Sequence, residues 1–101
     1  MNKIVFVHTI NQLQQVQSVQ GKIYGQIEVV GERVAFVRNH KTTKEYIKLE
    51  ELFALHQNEP QLNNSIAKRY ISGRVQSPAV AILNALKTGQ SSVVATTPQA
   101  V

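Results

Sequence analysis

The chain has 101 residues, of which 43% are hydrophobic, so it has the size and composition of one small globular domain. It contains no cysteine, which excludes disulfides, thiolate zinc sites and cysteine nucleophiles. The formal net charge of +5 favours an anionic partner, such as nucleic acid or an acidic protein surface, although many small proteins are basic only for solubility.

The first part of the chain predicts a strand followed by a short helix. Residues 3–8, KIVFVH, are rich in β-branched and aromatic side chains, which favour a strand that is buried on at least one face. From Thr9 the pattern changes to apolar residues three apart, with Thr9 or Asn11 as the cap of a helix and Gly21 at its end. The apolar residues of this predicted helix are Ile10, Leu13 and Val16.

Residues 23–38, IYGQIEVVGERVAFVR, predict a β-hairpin. Gly31 and Glu32 form its two-residue turn, because glycine readily supplies the positive φ of the first turn position. One face then holds four apolar residues that we expect in the core: Ile27, Val29, Val34 and Phe36. The other face is more mixed and holds Tyr24, Gln26, Glu28, Ala35 and Val37. In this register Gly25 lies opposite Arg38, unless the glycine marks a bulge.

Residues 38–58 predict a loop, a further strand and a helix. The loop RNHKTTK, residues 38–44, is basic and contains no acidic residue. In the strand that follows, which runs from Lys44 to Leu49, Ile47 and Leu49 lie on one face and Tyr46 and Lys48 on the other. The helix EELFALHQN begins with two glutamates, which suit the positive N-terminal end of a helix. Its apolar side chains should dock it on the sheet: Leu52, Phe53 and Leu55.

The remaining residues predict two helices and a tail. A helix that ends near Ser72 can be capped by Asn63, Asn64 or Ser65. Ser77 followed by Pro78 starts a second helix, since proline in the first turn costs no hydrogen bond, and this helix ends at Gly89. The tail that follows has no charge and no sustained period.

These elements define the predicted fold class, which is a small α+β domain. An antiparallel β-meander of three to four strands is packed by two or three helices, and the C-terminal half is helical. We expect residues 1–88 to form this single domain and residues 89–101 to be a loose or partly ordered tail.

Binding of nucleic acid through its phosphate backbone, whether DNA or RNA, is the predicted function. Six basic residues are the candidate contacts, in the loop and around the first C-terminal helix: Arg38, Lys41, Lys44, Lys68, Arg69 and Arg74. Three tyrosines interleaved with them are candidates for stacking on single-stranded bases: Tyr24, Tyr46 and Tyr70. A plain solvated surface would show the same charges, and such tyrosines are more often half-buried packing residues. Convergence of residues 38–44 and 68–74 on one face would favour nucleic acid, whereas scattered basic residues and a dominant apolar patch would favour a protein partner.

Base reading by a helix-turn-helix is not expected, although residues 66–86 have its outline. The second helix is apolar on most of its surface, which predicts a buried helix. Only Asn84 and Lys87 remain beyond its cap for contacts with base edges.

A protein–protein interaction module is the alternative function. Such a module would be a small regulatory, adaptor or inhibitory subunit that binds an acidic protein surface, or a homo-oligomer. The mixed face of the hairpin and the next strand would supply its contacts: Tyr24, Val30, Val37 and Tyr46.

Catalytic, cofactor and metal sites are not predicted. The histidines at positions 8, 40 and 56 have no metal-ligand spacing, and no glycine-rich phosphate loop or serine elbow is present. The N-terminus does not have the pattern of a signal peptide, and no apolar stretch has the length of a membrane-spanning helix. We therefore expect a non-enzymatic, soluble, cytoplasmic protein without a cofactor.

Overall fold

The computed structural model describes residues 2–18, 20–39 and 41–88, which form an antiparallel sheet packed by helices. The elements in chain order are α1 (Lys3–Leu13), β1 (Val16–Gln17), β2 (Ile23–Val30), β3 (Arg33–Arg38), β4 (Lys44–Lys48), α2 (Leu49–Asn58), α3 (Asn64–Ala67) and α4 (Gln76–Thr88). The strands form one four-stranded meander in the order β1-β2-β3-β4, so the predicted α+β fold class is confirmed. The predicted tail, residues 89–101, lies outside the described residues.

The N-terminal segment is a helix, so the predicted strand over residues 3–8 is wrong. The Asn2 side chain caps α1 by accepting a hydrogen bond from the Val5 amide at 2.9 Å. Residues four and three positions apart then lie on one helical face and are buried in the core: Phe6, Ile10 and Leu13. The burial of this face outweighs the β-propensity of the valines and isoleucine in the segment. The helix predicted between Thr9 and Gly21 is likewise replaced by the end of α1 and by β1.

The predicted hairpin is present, but a bulge shifts its register. Val29 pairs with Val34 across the turn, as predicted, whereas Gly25 pairs with Val37 instead of Arg38. The shift lies between Gly25 and Glu28, where Gln26 has a positive φ of 52°. The backbone amide of the next residue, Ile27, donates a hydrogen bond to the carbonyl oxygen of Gln14 at 3.1 Å. This bond connects the bulge to the segment after α1.

Elements of the second half follow the prediction closely. α2 begins one residue before the predicted glutamate pair, and Leu52 and Leu55 on it are buried. α3 begins after Asn63, whose side chain accepts from the Ile66 amide at 2.9 Å, but it ends at Ala67 and not near Ser72. α4 includes the predicted Ser77–Pro78 start within its first turn.

The sheet has one face toward the helices, here called the inner face, and one face away from them, here called the outer face. Inner-face residues of β2, β3 and β4 belong to the same core cluster as the helices: Tyr24, Ile27, Val34, Phe36 and Ile47. Since side chains alternate along a strand, their neighbours point to the outer face. Six outer-face residues of β2, β3 and β4 are exposed: Glu28, Val30, Arg33, Lys44, Tyr46 and Lys48.

Candidate functional site

The outer face places basic side chains around an exposed aromatic ring. Arg33 pairs with Lys48, and two residues further along the strands the small Ala35 pairs with Tyr46. Two residues beyond that pair, Lys44 lies opposite Val37. All of these side chains lie on one side of β3 and β4, and the distance from Lys44 to Lys48 along the strand is about 13 Å. Tyr46 therefore lies between cations at both ends of the outer face.

Tyr46 and Arg33 form the most specific contact on this face. The Arg33 guanidinium carbon lies 4.4 Å from the centroid of the Tyr46 ring, a cation–π geometry. The tyrosine still has 42% of its surface exposed, so the ring remains accessible. An exposed ring with an arginine against it is the type of surface on which a planar group can stack.

Lys44 has an acidic neighbour on the outer face. Its ammonium Nζ lies 3.2 Å from Oε2 of Glu28 in β2, so this ion pair crosses over β3. Both side chains are about half exposed, so the pair contributes little to stability and competes weakly with an external anion. Arg33, Lys44 and Lys48 thus give this face a positive balance against the single charge of Glu28.

Arg38, a predicted phosphate contact, is engaged within the fold. Its Nε donates to Oε2 of Glu45 at 2.6 Å, and its Nη2 donates to the carbonyl of Arg74 at 2.7 Å. Arg38 follows Val34 and Phe36 on the inner-face side of β3, and the bulge in β2 places Tyr24 opposite it. With 26% of its side chain exposed, Arg38 joins β3 to the segment before α4. We therefore assign Arg38 a structural role and remove it from the candidate contacts.

The other predicted basic residues do not converge on the outer face. Lys41 is exposed in the loop after β3, and Arg74 is exposed next to Arg38. Lys68 and Arg69 are exposed in the turn after α3, which packs against α4 on the helical side. Of the six predicted contacts, Lys44 lies on the outer face with Arg33 and Lys48, and Lys41 lies at the end of this face, where it lines a cavity with Val37.

Acidic side chains hold the segment that contains Arg69 and Arg74. The Tyr70 hydroxyl donates to Oε2 of Glu59 at 2.7 Å, and this hydrogen bond raises the pKa of Tyr70. The backbone amide and the hydroxyl of Ser72 both donate to Oε1 of Glu51, at 3.0 Å and 2.9 Å. These carboxylates offset part of the positive charge around the turn, which makes it a weaker anion site than its sequence indicates.

The three tyrosines differ in accessibility. Tyr24 is only 1% exposed and packs edge-on against Phe36, with ring centroids 5.8 Å apart, so it is not available for stacking on a base. The bulge causes this placement, because it moves Tyr24 to the inner face. Tyr70 is partly buried and is held by Glu59. Tyr46 is the member of the predicted set that presents its ring on the outer face.

Two outer-face cations, Arg33 and Lys48, were not among the predicted contacts. Their signal was present in the strand period, because Lys44, Tyr46 and Lys48 alternate with core residues. Pairing β3 with β4 then places Arg33 opposite Lys48. The clustering of basic residues along the chain indicates the loop, whereas the alternation along β4 indicates the outer face.

His56 is the histidine with a perturbed environment. Burial first, and then the charge of Lys87, lowers its pKa from the ordinary value of 6.5. Its ring lies 5.0 Å from that of Phe6, and its Nδ1 is buried without a hydrogen-bond partner among the described residues. His8 is exposed and contacts Gln12, whereas His40 lies outside the described residues. Within the described ranges, no three acidic, histidine or cysteine side chains are placed to hold a metal ion.

The lowered pKa of His56 predicts acid sensitivity. The folded state holds this proton less well than the unfolded chain, so His56 contributes its full stabilisation above about pH 6.5 and loses it as the pH falls through the lower folded pKa. We expect the free energy of unfolding in urea to decrease between about pH 7.5 and 5, and His56→Gln to reduce that decrease. His8→Gln, which makes the same substitution at an exposed histidine of α1, is the matched control. Equal pH dependence in wild type and His56→Gln would contradict the prediction.

Comparison of the chain with protein-family models, curated proteins and solved structures finds no significant match. None of the helices in the described part of the chain has the length and apolar character needed to cross a membrane. The outer face therefore has to be interpreted from its own chemistry.

Proposed function

We propose that this protein is a non-enzymatic binding protein that contacts single-stranded nucleic acid through the outer face of its sheet. The observation that carries the proposal is the placement of Arg33, Lys44 and Lys48 around the exposed ring of Tyr46. Cations attract the phosphate backbone, and an aromatic ring on an open sheet stacks with a base regardless of its sequence.

The shape of the outer face favours a single strand over a duplex. An exposed ring on a sheet offers stacking only to bases whose faces are accessible, and bases in a duplex are stacked on one another. The small side chain of Ala35, which is fully buried opposite Tyr46, leaves the tyrosine ring as the central contact. Tyr46 would supply the stacking energy, and the three cations would supply the salt-dependent part of the affinity.

Two variants of equal net charge test this proposal. The first replaces the outer-face cations by Arg33→Gln, Lys44→Gln and Lys48→Gln. The second replaces the cations near α3 by Lys68→Gln, Arg69→Gln and Arg74→Gln. With a fluorescent single-stranded oligonucleotide at low salt, the first variant should lose about ten-fold or more in affinity and show a shallower salt dependence, while the second loses much less.

The paired design separates a local site from the effect of net charge. Equal losses in the two variants would mean that overall charge, and not the outer face, attracts the strand. Failure of the wild-type protein to bind single-stranded DNA or RNA at low salt would end the nucleic-acid proposal. Each variant needs a thermal melt to show that it is folded.

A second candidate is the protein–protein interaction module, and exposed apolar side chains favour it. Ile4 is 82% exposed and Val5 is 45% exposed on α1, while Val30 is 45% exposed on the outer face. Such a module would act as a regulatory, adaptor or inhibitory subunit or as a homo-oligomer. Salt separates the two candidates, since apolar contacts survive high ionic strength and phosphate contacts do not.

A further inference from the structure

A cavity of about 490 Å³ opens at the β1 edge of the sheet, on the helical side. We call it the edge cavity. It lies between the end of the β1–β2 hairpin, the start of α3 and one side of α4, and it shares no residue with the proposed outer-face site. Its volume is in the range of small-molecule sites in proteins, which is roughly 300–1,000 Å³.

The lining of the edge cavity carries no charge and combines a mainly apolar surface with several amide groups. Five amide side chains from three separate parts of the chain line it: Gln17, Gln20, Asn63, Asn64 and Asn84. None of the described residues around it is Asp, Glu, Lys, Arg or His, although the chain has a formal net charge of +5. A charged ligand would lose its hydration there without a counter-charge, so the lining selects a neutral ligand that forms hydrogen bonds.

Internal hydrogen bonds orient two of these amides. The side-chain oxygen Oδ1 of Asn63 accepts a hydrogen bond from the Ile66 amide at 2.9 Å. The side-chain Nδ2 of Asn64 donates a hydrogen bond to the Ser77 hydroxyl at 3.0 Å. These bonds do not use the side-chain amino group of Asn63 or the side-chain oxygen of Asn64. These two residues of the lining thus keep one donor and one acceptor beyond these bonds.

Tyr24, in the wall of this cavity, has a hydroxyl without a partner in the described part of the chain. It forms part of the cavity wall and is only 1% exposed. Its hydroxyl oxygen is buried and has no hydrogen-bond partner among the described residues. Buried hydroxyl groups are nearly always paired, because an unpaired one costs free energy. Burial is also the largest influence on the pKa of Tyr24, which is raised, so the hydroxyl keeps its proton as a donor at neutral pH.

We propose that the edge cavity binds an uncharged heterocycle of the nucleobase type. The edge of such a ring carries the neighbouring donors and acceptors that asparagine and glutamine amides pair with. Its flat faces suit the aliphatic part of the lining, which consists of Leu62, Val80 and Ala81. The ring could come from a free nucleoside or from a base within a strand, since the chemistry recognised is the same.

Titration with nucleosides tests this proposal on the full chain. Adenosine, guanosine, cytidine and uridine are added separately to the labelled protein while backbone amide signals are followed by NMR. At least one of them should give saturable shifts at millimolar concentration or below, confined to residues 17–18, 62–64 and 77–84. Glucose offers hydroxyl groups without a flat heterocycle and should give none. Absence of saturation with all four nucleosides, or equal saturation with glucose, would overturn the proposal.

Two variants connect the binding to the cavity. Val80→Phe fills the cavity from α4 and should abolish the saturable shifts. Tyr24→Phe removes only the unpaired hydroxyl, so it should melt at or above the wild-type temperature while nucleoside affinity falls roughly two- to ten-fold. A hydroxyl with a purely structural role would lower the melting temperature and leave the affinity unchanged. Wild-type affinity in both folded variants would refute the assignment.

An oligonucleotide arm identifies the source of the base and keeps the two proposals separate. If the base belongs to a strand, uridine oligomers should shift the cavity residues in wild type and in the outer-face triple variant, but not in Val80→Phe. If it belongs to a free nucleoside, mononucleosides alone shift them. Loss of oligonucleotide binding at the outer face would change neither the oligomer result nor the mononucleoside result at the edge cavity.

Discussion

Replacing Phe6 with alanine should lower the free energy of unfolding by about 3–5 kcal/mol. Phe6 is fully buried and meets Phe53 edge-on, with ring centroids 5.0 Å apart and an interplanar angle of 62°. The substitution removes this aromatic pair and leaves a cavity between α1 and α2. Urea unfolding followed by circular dichroism measures the change.

Ile4→Ala is the matched control for Phe6→Ala. Ile4 lies on the same helix but is 82% exposed, so its truncation should change the stability by no more than about 0.5 kcal/mol. In a strand these two residues would share a face, because they are two positions apart, and both substitutions would be costly. Similar large losses in the two variants would therefore favour a strand and contradict α1.

Replacing Arg38 with alanine should destabilise the fold by about 2–3 kcal/mol. The guanidinium donates to Glu45 at 2.6 Å and to the Arg74 carbonyl at 2.7 Å, and its carbon lies 5.9 Å from the centroid of the Phe36 ring. Hydrogen bonds to charged groups are among the stronger ones, and truncation leaves the Glu45 carboxylate without this partner. Thermal and urea unfolding report the loss.

A difference between stability and binding makes the Arg38 prediction specific. Lys44→Ala breaks an exposed ion pair and should cost no more than about 1 kcal/mol. In the oligonucleotide assay the order should reverse, with Arg38→Ala binding like wild type below its melting temperature and Lys44→Ala binding more weakly. Weaker binding by Arg38→Ala at wild-type stability would restore Arg38 as a phosphate contact.

The order of the elements from β2 onward could be predicted because its signals are local. The turn at Gly31, the alternation through Ile47 and the Ser77–Pro78 helix start each depend on a few neighbouring residues. Each of these patterns selects one backbone conformation whatever the rest of the fold does. The candidate cations of β3 and β4 also follow from this alternation once the two strands are paired.

The N-terminal segment shows where local signals are insufficient. Six residues, KIVFVH, are too few to distinguish a strand from a buried helix by their period. The burial of Phe6 against Phe53 of α2 determines the outcome, and this contact joins two residues that are far apart in the chain. The helix is thus a result of packing and not of propensity.

By itself, the sequence determined the α+β class, the meander of β2 to β4, α2 and α4, and the excess of positive charge. Only the tertiary structure decided which side chains are available to a partner. One bulged residue, Gln26, shifts the pairing so that Tyr24 lies opposite Arg38 and is buried. The pairing of β3 with β4 and the packing of the segment before α4 place Glu45 and the Arg74 carbonyl beside Arg38. A shift of one residue exchanges the two faces of a strand. The position of this bulge depends on a hydrogen bond from the Ile27 amide to the Gln14 carbonyl, which joins two separate segments of the chain.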